Sequence, residues 1–285
     1  MFSYFLPKVG VHSWGGFGSQ LNALGLAYGL SLKYPKRRIR IVFRTGGEHK
    51  AFYELSDLQI NEFEIRFKKI DEKASHIIPP VLTPNLNMYK NFAKASLIKL
   101  GLYATCESKS EFDSIKPWVL MIRGSYNLFP NKEFIKYLQK KIGDKVENSF
   151  DNDITIHYRL GDLMTLETKN PISEEILSQQ LNSAVKDTSS ISCTILSSDP
   201  DIASQKFVQL KTSMIIKSAY ATPVEVLKIG TKSKIFLGTN SKISMWVVFI
   251  RVNLGLKNSF LPHSFKSIFD QSFEENLIRE YIKFY

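Results

Sequence analysis

The stretch Asp153-Ile154-Thr155-Ile156-His157-Tyr158-Arg159-Leu160-Gly161-Asp162-Leu163 narrows the choice of fold more than any other part of the chain. Ile154 and Ile156 flank Thr155 in the period-two pattern of a pleated strand, and the pattern stops at His157 and Arg159. A strand that breaks into a His, an Arg and a Gly-Asp turn fits an α/β domain, whose ligands bind where a strand's carboxyl end meets the next loop. Arg159 presents a planar, permanently charged fork of donors that suits a phosphate or diphosphate. Gly161 lets the backbone turn tightly or approach a ligand. Taken alone, His-x-Arg-x-Gly-Asp is equally a surface turn with a salt bridge, so the rest of the chain decides.

Strand and helix patterns alternate on both sides of this segment, as a parallel sheet requires. Near the start, Gly15-Gly16-Phe17-Gly18 precedes apolar residues at Leu21, Leu24, Ala27 and Tyr28, the spacing of a helix. Glycines there free the helix's first N–H groups for an anion or a sugar hydroxyl, although a plain tight turn explains them too. The dinucleotide fingerprint is not matched. Arg38 to Arg44 reads as the next strand, completing one crossover unit. A helix is predicted over Phe92 to Tyr103, a strand over Trp118 to Gly124, and a helix over Asn131 to Ile142 stopped by Gly143.

The second half repeats the alternation. Ser173 opens a helix, Ser192 to Leu196 is a strand ending in Ser197-Ser198-Asp199-Pro200-Asp201, and Ser213 to Ile216 is another. Thr222-Pro223 opens a helix. Lys234 to Gly238 is a strand, and Thr239-Asn240-Ser241 leads into a further helix, whose amino terminus would face the end of Arg159's strand.

At 285 residues the chain has room for two modest domains. The polar stretch from Gly143 to Asp153 is the expected boundary, giving 1–150 and 151–285, with the last helix expected to pack back on the first. Cys106 and Cys193 lack any disulfide or zinc spacing, which points to a reducing compartment. Met1 to Lys8 lacks the pattern of a signal peptide and no run of about 18 apolar residues occurs, so a cytoplasmic protein is expected. The net charge of +11 calls for an acidic partner. No zinc-finger spacing or RNA-binding aromatic motif accompanies it, so nucleic acid is not the expected partner; phosphorylated substrates and an anionic membrane face remain.

Three separated motifs, Gly15-Gly16-Phe17-Gly18-Ser19-Gln20, His157-Tyr158-Arg159-Leu160-Gly161-Asp162 and Thr239-Asn240-Ser241-Lys242-Ile243-Ser244-Met245-Trp246, agree in order and spacing. Together they resemble the bacterial α-1,2-fucosyltransferases, within the fucosyltransferase superfamily of GT-B fold. The resemblance implies an α/β protein with two Rossmann-like domains whose parallel sheets face a cleft. It implies an inverting glycosyltransferase that needs no metal and moves fucose from GDP-fucose to a glycan or lipid-linked glycan. The setting it implies is surface polysaccharide synthesis (O-antigen, capsule or lipopolysaccharide) at the inner face of the cytoplasmic membrane.

By the same resemblance, Arg159 neutralises the leaving diphosphate and His157 lies near the nucleotide. Asp199 reads guanine, Asn240 and Ser241 lie near the phosphates, and Gly15, Gly16 and Gly18 form the acceptor-side loop. Leu160, Ser19 and Met245 stand where the family carries a second Arg, an Asn and a Trp, which leaves another nucleotide sugar open as donor. Asp162, Glu167 and His12 are the candidates for the general base. Two other readings stay open: Asp199 and Asp201 as a metal-holding pair, and a non-catalytic basic module that binds anions or nucleic acid.

Overall fold

The computed structural model describes residues 8–14, 16–45, 58–69, 94–106, 108–124, 132–143, 152–160, 171–185, 191–207 and 215–285. The chain divides into two compact units, Met1–Leu55 with Gln59–Phe134, and Ser56–Leu58 with Ile135–Tyr285. Each unit is built on a sheet whose strands all pair in parallel, which gives the expected α/β class.

The first unit holds β1 (Val9–Trp14), α1 (Phe17–Lys33), β2 (Ile39–Thr45), β3 (Glu64–Lys69), α2 (94–99), β4 (Tyr103–Cys106), α3 (Lys109–Ser114) and β5 (Met121–Gly124). Its strands stand in the order β3-β2-β1-β5-β4. Val9, Val11, Ile39, Ile41 and Ile122 are buried, in step with strand periodicity. Two sequence expectations need correction. The helix expected up to Tyr103 stops at residue 99, because Gly101 takes a φ of +69° and reverses the backbone, so that Tyr103–Cys106 becomes the edge strand. The strand expected from Trp118 starts at Met121, and Trp118 lies in the preceding turn. Helix α4 (Lys132–Ile142) ends just before Gly143, as its sequence predicts, and the units part within it after Phe134.

The second unit continues with β6 (Asn152–His157), α5 (Glu174–Ala184), β7 (Ser192–Ser197), α6 (Pro200–Lys206), β8 (Ile215–Tyr220), α7 (Pro223–Thr231), β9 (Ser233–Gly238), α8 (Lys242–Asn253), β10 (Ser259–Leu261), α9 (Lys266–Ser272), α10 (Glu275–Tyr281) and β11 (Ile282–Phe284). The strands lie in the order β11-β10-β9-β6-β7-β8. Counted from β6, that is the 3-2-1-4-5-6 order of a Rossmann sheet, with its topological switch between β6 and β9. The chain's last residues add β11 to this sheet, paired with β10. Ser213 and Met214 lie outside the described residues.

Local chemistry explains the helix starts. Thr222 accepts from the Glu225 N–H at 3.3 Å while Glu225 reaches back to the Thr222 N–H at 2.7 Å, a capping box with Pro223 in the first turn. Ser173 caps α5 in the same sense. Ile154, Thr155 and Ile156 are all buried, so both faces of β6 are covered, as parallel sheets require.

Helix α8 is buried from Ser244 to Val252, which its nearly unbroken apolar run permits. Phe249 stacks on Phe269 at 4.3 Å between ring centroids. The one cation in that run, Arg251, is sealed from solvent. It donates to the carbonyls of Gly230, Ser233, Lys234 and Lys257 and to the Ser259 hydroxyl at 2.5–3.2 Å. Burial pulls its guanidinium down to about 9, so it stays charged at neutral pH and ties the end of α7 to the starts of β9 and β10.

Candidate functional site

β6 and β9 run in register, with His157 opposite Gly238. Their carboxyl ends meet at the switch point of the sheet, the place where such sheets bind ligands. Thr239 joins the two ends. Its hydroxyl donates to the His157 carbonyl at 2.8 Å and accepts from the Arg159 N–H at 3.1 Å, and its own N–H donates to the same carbonyl at 3.2 Å. The half-buried Arg159 therefore leaves the strand from a backbone fixed on both sides.

Gly238 lets α8 come close. A Cβ at that position would lie 2.6 Å from the Ser244 Cβ and 2.8 Å from the Leu261 Cδ2, closer than side-chain carbons pack. Behind it, the Tyr285 hydroxyl donates to the Gly238 carbonyl at 2.8 Å. Burial pushes that hydroxyl's pKa well above its ordinary value, so it holds its proton and remains a donor.

His157 is buried, with Nδ1 2.7 Å from the Ser244 Oγ. Burial, with a smaller contribution from the Arg159 charge, holds the imidazole down to about 3. The ring is neutral at physiological pH, and it braces β6 against the first turn of α8. Ser241 caps α8, its buried hydroxyl accepting from the Ile243 N–H at 3.2 Å, while Asn240 beside it is exposed. No acidic residue lies in the first turn of α8, so the positive end of its dipole is not offset there.

One strand over, the Tyr158 N–H donates to the Leu196 carbonyl at 2.9 Å. Beyond the end of β7, Asp199 Oδ1 accepts from the Ile202 N–H at 3.1 Å and caps α6, with Pro200 in its first turn. One oxygen of this carboxylate is thus committed to the helix. Asp201 is exposed in the same turn. Among the described residues no group of three or more His, Cys, Asp or Glu side chains is placed to hold a metal ion.

The second unit thus gathers His157, Arg159, Asn240 and Ser241 around the ends of β6 and β9, with Asp199 past the end of the adjacent strand β7. In the first unit, His12 is half-buried in β1, its ring over Gly10. Gly16 precedes α1 and makes no side-chain cap, and Gly18 is buried in the first turn. Gly15, Gly161, Asp162 and Glu167 lie outside the described residues. Sequence reasoning assigned no role to Thr239, Ser244 or Tyr285. The first two stand inside a motif that drew attention, whereas Tyr285 carries no local signal at all.

No family model matches the sequence, and no curated protein matches it either. Among solved structures, the chain is similar to POFUT1 in complex with GDP-fucose, at 14% identity and a TM-score of 0.45 over 90% of this chain and 98% of that one. It is similar to a glycosyl transferase family 9 protein from Veillonella parvula, at 8% identity and a TM-score of 0.43 over 90% and 80%. It is also similar to UGT89C1 from Arabidopsis thaliana, complexed with UDP-L-rhamnose, at 9% identity and a TM-score of 0.41 over 96% and 82%.

Proposed function

We propose that this protein is an inverting glycosyltransferase that transfers a sugar, fucose from GDP-fucose, to a glycan hydroxyl without a metal ion. The observation that carries the reading is the bond from the Arg159 N–H to Thr239, just ahead of the Ser241 cap of α8, at the switch point of a Rossmann-ordered sheet. The resemblance of three motifs to those of the bacterial α-1,2-fucosyltransferases also supports it. In the reaction, the acceptor oxygen attacks the anomeric carbon from the face opposite the diphosphate. The bond from that carbon to the diphosphate oxygen breaks, and its electron pair leaves with the nucleotide. Charge grows on the leaving oxygens, and donors already aimed at them lower the barrier. Arg159 and the α8 dipole supply that stabilisation. The acceptor proton passes to a carboxylate or imidazole, with Asp162, Glu167 and His12 as candidates.

Asp199 reads the base with the carboxylate oxygen not engaged as a cap. Its capping bond also favours a second reading, in which the cap is its whole role and the donor carries a base other than guanine. Transfer and donor hydrolysis measured across GDP- and UDP-sugars, with and without EDTA, test both. Turnover of a GDP-sugar in excess chelator is the expected result. A strict requirement for a divalent ion would overturn the metal-free reading and return Asp199 and Asp201 to candidacy as metal ligands. Turnover of UDP-sugars alone would overturn GDP-fucose as donor.

A further inference from the structure

The first unit carries an apolar patch at the amino-terminal ends of β4 and β5, the opposite end from the strands' carboxyl termini. Leu97 and Ile98 in α2, Leu100 just after it, Trp118 in the turn before β5 and Met121 at its start are 38–64% exposed. Hydrogen bonds hold the segments that carry them together. The Trp118 indole donates to the Leu100 carbonyl at 3.2 Å, and the N–H groups of Leu102 and Met121 bond the Leu97 and Leu102 carbonyls. Scattered exposed apolar residues are ordinary, but five joined around a tryptophan mark an interaction site.

Charge says what covers it. Residues 94–106 and 116–124 contain no Asp or Glu, and their charged residues are Lys94, Lys99, Lys116 and Arg123, all exposed. The residues between the two segments carry Glu107, Glu111 and Asp113, along with Lys109. The Lys33 ammonium donates to the Phe112 and Asp113 carbonyls, adding positive charge on that side. A second copy of this chain would set four cations against four. A phospholipid surface with anionic headgroups accepts the cations at headgroup depth, the indole at the interface and the leucines among the acyl chains.

We propose that this patch docks the protein peripherally on an anionic bilayer. The inference concerns the first unit alone and does not depend on the reaction assigned to the second.

Flotation of the full chain with phosphatidylcholine vesicles, plain or containing about three parts in ten phosphatidylglycerol, tests it. The protein is expected to float with the anionic vesicles, more weakly as salt rises, and to stay behind with the neutral ones. Trp118 emission should shift to the blue on binding, a change absent in W118F. The triple variant Lys94→Gln, Lys99→Gln, Lys116→Gln removes only exposed charge and should bind roughly a hundredfold more weakly. The pair Leu100→Ser with Trp118→Ser should lose at least tenfold. The proposal is overturned if the parent ignores anionic vesicles at low salt, or if the folded triple variant binds them like the parent. It is also overturned if the parent self-associates through this face, seen as a concentration-dependent mass that disappears in Trp118→Ser.

Discussion

Acid should unfold this protein in part through one residue, His157. In the folded chain its imidazole is held down to about 3, against an ordinary value near 6.5, so the unfolded chain binds a proton there that the folded chain refuses. Wherever the unfolded state binds more protons, stability rises with pH. The stability associated with a neutral His157 is therefore complete above about pH 6.5 and is lost as pH falls toward 3. At about pH 4.5, two units below the unfolded value and well above the folded one, the loss relative to neutral pH is about 2–3 kcal/mol. At this pH His157 is still mostly neutral in the folded state, while in the unfolded state it is almost fully protonated. The comparison is made by urea denaturation of the parent and of His157→Gln at about pH 7 and 4.5. The variant is less stable than the parent at neutral pH because the Ser244 bond is altered, but its further loss on acidification should be about 2–3 kcal/mol smaller. Equal losses in the two proteins would refute the argument. So would a His157 proton resonance that titrates between pH 5 and 7.

Arg159→Lys should cost most of the transfer activity with an unchanged melting temperature, since a point charge cannot reproduce a planar fork; near-parent turnover would reduce the site to charge attraction. Asp199→Asn keeps the cap on α6 but replaces the oxygen proposed to face guanine with an amide donor, so GDP affinity by calorimetry should fall about tenfold with no loss of thermal stability. Unchanged GDP affinity would leave Asp199 as a cap and nothing more. Arg251→Met should destabilise the fold by about 3 kcal/mol or more in urea titration, because buried carbonyls lose their donor; a cost under about 1 kcal/mol would contradict the hydrogen bonding described. Tyr285→Phe frees the Gly238 carbonyl, and its effect should fall on donor KM more than on kcat; parent-like values of both would show the turn needs no support from that side.

Local chemistry made much of this chain legible before any fold was known. The alternation of Ile154 and Ile156, the Thr222-Pro223-Val224-Glu225 helix start, the stop at Gly143 and the strand before Asp199 follow from interactions within a few residues. The edge strand β3 went unread although Ile65 and Phe67 alternate with Glu64, Arg66 and Lys68; its pairing with β2 comes from the sheet.

What only the tertiary structure decided is the meeting of groups distant in sequence. The bond from the Arg159 N–H to the Thr239 hydroxyl spans 80 residues, and it exists because the crossovers return β9 to the side of β6. The same return buries His157 against Ser244, making a residue expected near the nucleotide a neutral brace. Arg251 stands in the last turn of α8, and the carbonyls that receive it belong to α7, β9 and the loop before β10. Periodicity records which way a side chain faces along its own element; desolvation and hydrogen-bond partners depend on what the rest of the chain brings against it.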